Sequence, residues 1–444
     1  MANNTNISVR NLIIYSVYIR NHTEEGTFLA VIPDLERIKA LGADVIWFMP
    51  IHPIGEKGKK GILGCPYANR DYRTVNPCYG TMEDFKKLVD AIHGLGMRCM
   101  IDVVYNHTSP DATLVSEHPE FYYRKPDGSF GNRCGEWADV IDLDYGDDEH
   151  PNTALWDYQI ESLKMWAGLV DGFRCDVASC IPVEFWKKAR TEVAKVNPGC
   201  LWLAETVHDT FNQKARAGWK GAWSDSEMFK AFDIEYDYDI REVFDRYIYG
   251  DVPLSCWLYS LNLQETAYAN NYSKLRCLEN HDNPRAKRLF PDEKSLRNAT
   301  AMLYFLKGTT LIYAGQEFEC TDTPSLFEKE VFPRDTGRDI SFYLARLAEI
   351  KKTVLSPADY FLASADDKNN IAVMIRDDGE RKKIGVFSLS GREADVRLLY
   401  PNFSQIEISD GNYTNVLSGE QVRVTDGVLH TCGDPVIIVT HKRR

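Results

Sequence analysis

The chain has 444 residues, is 44% hydrophobic and 26% charged, and carries a formal net charge of −13. That is enough length and apolar content for one large globular domain plus a smaller one, and the acidic balance excludes a nucleic-acid partner, which needs a basic surface. No apolar run reaches the length of a membrane span, and the opening "MANNTNISVRNLIIYSVY" lacks the charged start and cleavage site of a secretory leader. The 11 cysteines are odd in number and form no CxxC pair, which fits reduced thiols in a cytoplasm better than disulfides or a metal site.

In chain order, "NLIIYSVY" (11–18) reads as a strand. "FLAVIPDLERIKALG" (28–42) follows with helical spacing, and Gly42 suits its C-cap. "ADVIWFMPI" (43–51) is a second strand, "MEDFKKLVDAIHGLG" (82–96) a helix and "MRCMIDVVYNH" (97–107) a third strand. "LVDGFRCD" (169–176), "CLWLAE" (200–205), "MFKAFDIEYDYD" (228–239), "KLRCLENHD" (274–282) and "GTTLIYAGQE" (308–317) continue the series, the sixth being the weakest. Helical segments such as "PVEFWKKARTEVAKV" (182–196) lie between them. Apolar strands alternating with helices indicate a parallel sheet covered by helices, and eight repeats close most simply into a (β/α)8 barrel. The rival open sheet lacks its glycine-rich phosphate turn after the first strand.

A long excursion, about 108–150, follows the third strand, and a strand-to-helix loop of that length more often serves function than scaffolding. From about 355 the texture changes to short strands such as "NIAVMIRDDG", "KKIGVFSLSG" and "SQIEISDGN", separated by turn residues. This predicts an antiparallel β-sandwich. The expected organisation is therefore a barrel over 1–107 and 151–354, an insertion over 108–150 and a sandwich over 355–444.

In such a barrel, chemistry gathers where the strands end. The third ends "DVVYNH" (102–107), the fourth "FRCD" (173–176), the fifth "LAE" (203–205) and the seventh "ENHD" (279–282). In "GFRCDVAS" (172–179), Arg174 and Asp176 share one face of the strand and Cys175 the other. The pair is either a structural ion pair or a carboxylate kept ionised for nucleophilic attack. Glu205 follows an apolar run, which suits a protonated acid. Two carboxyl groups in opposite protonation states are what cleavage of a glycosidic bond requires.

These four segments, in this order and on these strands, resemble the four short conserved regions of the α-amylase family, glycoside hydrolase family thirteen. "GCPYANRDYRTVNPCYGT" (64–81) and "TTLIYAGQE" (309–317) are similar to its flanking motifs. The resemblance implies Asp176 as nucleophile, Glu205 as general acid/base and Asp282 as the third carboxylate, which holds substrate hydroxyls. It implies that Arg174 keeps Asp176 ionised, that His107 and His281 donate to the sugar at the cleavage point, that Tyr67 stacks on it, and that Asp102 orients neighbours. Trp219 and Trp223 are candidates for stacking on further sugars or for packing.

Many α-amylases carry a structural calcium, held partly by a region-one asparagine, matched by Asn106, and by a histidine four residues past the nucleophile. Cys180 stands at that second position, and a thiol is a poor ligand for a hard cation. The acidic run "DLDYGDDE" (142–149) reads as a solvated loop. No cofactor and no tightly held calcium are expected. The expected activity is retaining hydrolysis of α-1,4-glucosidic bonds in maltooligosaccharides or soluble α-glucans. The alternatives are an α-glucosidase or oligo-1,6-glucosidase, a 4-α-glucanotransferase on the same site, or a non-catalytic carbohydrate-binding relative. Presence of Asp176, Glu205 and Asp282 together argues against the last. Oligomeric state is not read from the sequence.

Overall fold

Eight short parallel strands close on one another in the computed structural model, which describes residues 5–135, 137–147, 149–218, 221–398 and 408–441. They are β1 (Ile13–Val17), β2 (Val45–Phe48), β3 (Arg98–Val103), β4 (Gly172–Cys175), β5 (Leu201–Ala204), β6 (Ile234–Tyr236), β7 (Lys274–Arg276) and β8 (Thr309–Tyr313). Their order around the ring is β1-β8-β7-β6-β5-β4-β3-β2. The expected (β/α)8 barrel is thus the fold.

Both faces of the strands are buried, so alternate residues serve two cores. Trp47, Met100, Leu203, Ile234, Tyr236, Leu275 and Leu311 fill the interior. Phe48, Ile101, Phe173, Cys175 and Trp202 point outward and pack beneath the helices. Cys175 is therefore a core thiol, turned away from Arg174 as the strand period requires.

Three expected elements differ in detail. The helix expected over 28–42 is broken into Phe28–Val31, a 3-10 turn Ile32–Asp34 and Leu35–Ala40, because Pro33 lacks an N–H for the helical ladder. Gly42 does follow it, at φ 90°, and a Cβ there would lie 2.4 Å from Ala348 Cβ. The expected strand 228–239 is paired only over Ile234–Tyr236, with Asp225–Met228 helical before it. Its outward face carries Glu235 and Asp237 rather than apolar residues, which erases the hydrophobic run that marks most of the other strands. The strand expected over 274–282 ends at Arg276, leaving its polar residues in the following loop.

The insertion is tied to the barrel by a two-stranded ribbon, His107 opposite Asp142 and Thr108 opposite Ile141. Beyond the last barrel helix, Ser341–Thr353, come β9 (Tyr360–Asp366), β10 (Ile371–Asp377), β11 (Arg381–Ser388), β12 (Ala394–Arg397), β13 (Gly411–Thr414), β14 (Gln421–Thr425), β15 (Val428–Thr431) and β16 (Val436–His441). They form two antiparallel sheets, β9-β10-β11-β16 and β12-β15-β14-β13. Val373, Ile375, Ile384 and Val386 of one sheet pack against Val396, Val424 and Leu429 of the other, a sandwich core. Part of the strand expected from "SQIEISDGN" lies outside the described residues. Among the described residues no helix is long and apolar enough to cross a membrane.

Candidate active site

The barrel's hydrogen bonding runs one residue past β4 and β5, and that extension sets the backbone under two carboxyl groups. The Asp176 N–H donates to Val103 O at 3.0 Å, and the Glu205 N–H donates to Cys175 O at 3.0 Å. Val177 then adopts φ 35°, a left-handed conformation costly for a β-branched residue. The turn directs the Val177 N–H onto Glu205 Oε2 at 2.8 Å.

Arg174 lies beneath this turn with no solvent exposure. Its Nη1 is 2.9 Å from both Asp102 Oδ1 and Asp176 Oδ1, and its Nη2 is 2.8 Å from Glu205 Oε2. The guanidinium is boxed by Trp47, Tyr67 and Tyr236 at 5.3, 5.6 and 5.3 Å from the ring centres, the planar arrangement that suits arginine over lysine. One cation is therefore divided among three carboxyl groups. Arg174 thus faces Asp176, as expected, and is shared with Asp102 and Glu205 as well. Burial, opposed by Arg174 and reinforced by Asp102, raises Asp176 to about 7. Burial raises Glu205 further, to about 8, with Arg174 opposing and Asp176 adding. Burial thus raises both carboxyl groups above the ordinary range, and two such groups sharing one cation favour one protonated and one ionised member, the pair that acid and nucleophile need.

Around this pair the structure gathers every other residue expected at the site. Tyr67 donates its hydroxyl hydrogen to Asp102 Oδ2 at 3.1 Å and lies 2.8 Å from His281 Nε2. His281 Nε2 is 3.3 Å from Asp282 Oδ2, and His107 Nε2 is 4.0 Å from Asp176 Oδ2. Burial lowers both histidines, His281 to about 4, so each is a neutral imidazole. Asp282 is the open member, its side chain 41% exposed, and its N–H is anchored on Asn280 Oδ1 at 2.9 Å.

Tyr67, His107, Asp176, Glu205, His281 and Asp282 line one cavity of about 350 Å³, at the small end of ligand pockets. Arg174 and Asp102 stay underneath it as positioning groups. The cavity is also lined by Lys60, Trp137, Asp139, His208, Phe211, Tyr238 and Asn283, none of them singled out from sequence. Lys60 of the loop after β2 pairs with Asp139 of the insertion at 2.8 Å. Trp137 of the insertion stacks on Phe211 at 6.2 Å. Trp137 and Asp139 fall in the insertion whose length already marked it, whereas Lys60 sits in a loop and Phe211 in the helix Asp209–Gly218, neither of them in a motif. Trp219 lies outside the described residues, and Trp223 does not reach this cavity.

The residues at the implied calcium position do not fit that ion. The Asn106 amide nitrogen is 3.2 Å from His107 Nδ1. Asp142 Oδ2 accepts the Arg133 N–H at 2.7 Å, and the Arg133 guanidinium is 3.0 Å from Asp144 and 3.8 Å from Asp142. A cationic side chain thus already faces these acids. Cys180 lines the same small cavity, its thiol pushed well up by burial and by Asp142. Asp142 Oδ1 is a buried oxygen without a protein partner, against the roughly six to eight oxygens calcium takes. Among the described residues no group of three or more His, Cys, Asp or Glu is placed to hold a metal.

Comparison with known proteins agrees with this architecture. Residues 6–130 and 138–381 match the alpha amylase catalytic domain, and residues 363–438 match the bacterial alpha amylase C-terminal domain. A solved alpha-amylase from Lactobacillus plantarum is 39% identical with a TM-score of 0.90, covering 98% of this chain and 100% of that one. The maltogenic alpha-amylase AmyB from Thermotoga neapolitana is 31% identical with a TM-score of 0.84, over 98% and 100%. Among curated proteins, an alpha-1,4-glucan:maltose-1-phosphate maltosyltransferase of Salinibacter ruber is 29% identical over 46% of this chain and 34% of its own length. This chain thus spans about a third of that relative's length. The chain therefore belongs to the α-amylase family, with that family's catalytic domain and a bacterial α-amylase C-terminal domain.

Proposed function

We propose that this protein is a retaining hydrolase of α-1,4-glucosidic bonds in maltooligosaccharides or soluble α-glucans. The observation that carries the reading is the pairing of Asp176 and Glu205 with the two terminal nitrogens of one guanidinium. Carboxyl groups held that close suit double displacement, for which the spacing is about 5 Å; inversion needs about 6.5–9.5 Å, to leave room for a water. In the first step an Asp176 oxygen bonds to the anomeric carbon as the bond to the leaving oxygen breaks, and that oxygen takes the Glu205 proton. In the second, Glu205 takes a proton from water, whose oxygen bonds to the anomeric carbon and frees Asp176. Asp282, Tyr67 and the neutral His107 and His281 hold the sugar's hydroxyls and ring, and Arg174 keeps the carboxyl groups in place.

Charge separates this reading from a transferase using a sugar phosphate. Asp139, Asp176 and Asp282 line the cavity, and the one lysine that lines it among the described residues, Lys60, is already paired with Asp139. Such a wall repels a phosphate and accepts a neutral sugar. The donor set around Asn106 and Cys180 supports activity without a tightly held calcium. Buried thiols at Cys99, Cys175 and Cys200 support a reducing, cytoplasmic setting.

The test is the time course of products from maltoheptaose, isomaltotriose and maltose 1-phosphate, with Asp176→Asn as the blank. Early mid-sized maltooligosaccharides with isomaltotriose untouched support the reading. Glucose from isomaltotriose moves the assignment to an α-1,6-glucosidase. Products longer than the heptamer, or phosphate release, move it to a transferase.

A further inference from the structure

β6 and the residues just past it send two tyrosines into the barrel interior, Tyr236 and Tyr238. Tyr236 lies against the guanidinium of Arg174, and Tyr238 lines the catalytic cavity together with Asp282. The hydrogen bonds around the Tyr238 hydroxyl leave its hydrogen one destination. The Asp282 N–H donates to Asn280 Oδ1 at 2.9 Å, and a backbone donor fixes that atom as the amide oxygen. The Asn280 nitrogen therefore faces Tyr238 and donates to its oxygen at 2.8 Å. The Asn283 nitrogen is fixed in turn, because it donates to Asn280 Oδ1 at 2.7 Å, and it reaches the Tyr238 oxygen at 3.2 Å. Two N–H groups thus take both lone pairs of the hydroxyl oxygen. What remains is its own hydrogen, and the carboxylate oxygen that faces it is Asp282 Oδ2 at 3.5 Å.

The hydroxyl is thereby an obligate donor, and its ring is fixed as well. The ring stacks on His208 with centres 4.5 Å and planes 9° apart, and it meets Tyr236 edge-on at 4.9 Å. Burial, with Asp282 and Glu205 adding, holds the phenol well above its ordinary range, so it keeps its hydrogen. Asp282 has need of such a partner. Its side chain is 41% exposed, and it stands in the loop beyond β7, which ends at Arg276. His281 Nε2, at 3.3 Å, is the other group at the same oxygen. Hydrogen bonds of this kind are often long before substrate binds and tighten in the reacting complex. We infer that Tyr238 is a positioning residue, which orients Asp282 toward the substrate hydroxyls that this carboxylate holds. The inference rests on the function proposed above.

The experiment is a double-mutant cycle of Tyr238→Phe with Asp282→Ala, run on α-maltosyl fluoride and read as kcat, KM and products. Phenylalanine keeps the ring contacts and removes only the hydroxyl. A hydrogen bond to a charged group predicts a loss of about ten- to thirtyfold in kcat/KM. The loss falls on kcat, with KM within about threefold, because the hold on the sugar's hydroxyls strengthens in the transition state. In the Asp282→Ala background the same change costs less than about twofold, whereas a merely structural lesion costs the same in both. Asn283→Ala frees one lone pair and lets the hydroxyl hydrogen turn away from Asp282. It loses about two- to fivefold by the same cycle and carries the test if Tyr238→Phe fails to fold. Equal losses in both backgrounds, a loss confined to KM, or no loss at all overturns the proposal. Longer oligosaccharides as products, with the loss still confined to the Asp282 background, would reject the hydrolase and leave the role of Tyr238. Maltose as product with additive losses would reject that role and leave the hydrolase. A wild type inert toward the fluoride rejects both.

Discussion

Two buried clusters in this barrel are built alike and differ in access. Inside the mouth, Arg174 faces Asp102, Asp176 and Glu205 within a box of aromatic rings. On the outer side of β6 and β7, Lys274 faces Asp225, Asp239 at 3.3 Å and Glu235 at 3.7 Å, with Tyr268 4.7 Å from its ammonium. Both bases are fully buried, and both sets of acids are perturbed. Burial pushes Glu235 well above the carboxylate range and Asp225 up to about 6. A perturbed carboxyl group is thus no sign of catalysis by itself. Asp176 and Glu205 open onto the 350 Å³ cavity, whereas Lys274 and its acids, among the described residues, do not line it and hold the barrel to its helices.

The comparison is sharpest under substitution. Asp176→Asn or Glu205→Gln lowers kcat by several orders of magnitude while the protein stays folded, as steady-state rates beside circular dichroism will show. Near-wild-type turnover in either purified variant would remove the mechanism. Lys274→Met does the reverse. It strands buried carboxylates and costs about 3–5 kcal/mol of stability, read by urea unfolding, while kcat per folded molecule holds. If kcat collapsed with full stability retained, the division between the clusters would fail.

Smaller effects refine the mouth cluster. Because burial raises both Asp176 and Glu205, kcat/KM follows a bell displaced above the ordinary carboxylate range, falling on the acid side as the nucleophile gains a proton and on the alkaline side as the general acid loses its own. A plateau extending down to pH 5 would mean that Arg174 keeps Asp176 ionised after all. The same raised value links to stability. Glu205 titrates near 8 when folded and near 4.3 when unfolded. The stability its proton contributes is complete below the unfolded value and is lost as pH climbs through the folded one. Glu205→Gln therefore melts about 1–3 °C above wild type at pH 8, the gap shrinking toward pH 5. A gap that widens toward acid would contradict the sign. The smallest expected effect is that of a chelator: dialysis against EDTA leaves Tm within about 1 °C, because Arg133 already faces Asp142 and Asp144.

The chain's pattern by itself determined the barrel, because most of its strands read as apolar runs and each is followed by a helix. It also marked Asp176, Glu205, Asp282, His107, Arg174 and His281, since chemistry in this architecture sits at strand ends, whereas Tyr67, in the loop after β2, was marked only by the resemblance to the α-amylase family. β6 was faint because its outward side chains, Glu235 and Asp237, serve a buried charge network that no hydrophobic period can reveal. Tertiary structure alone decided that Arg174 is shared among three carboxyl groups: Asp102 and Glu205 come from neighbouring strands 72 and 31 residues away from it in sequence, a distance along the chain that carries no information about contact. It alone brought Lys60 to Asp139 and Trp137 to Phe211, because side chains far apart in sequence meet through the path of the backbone and not through any local preference.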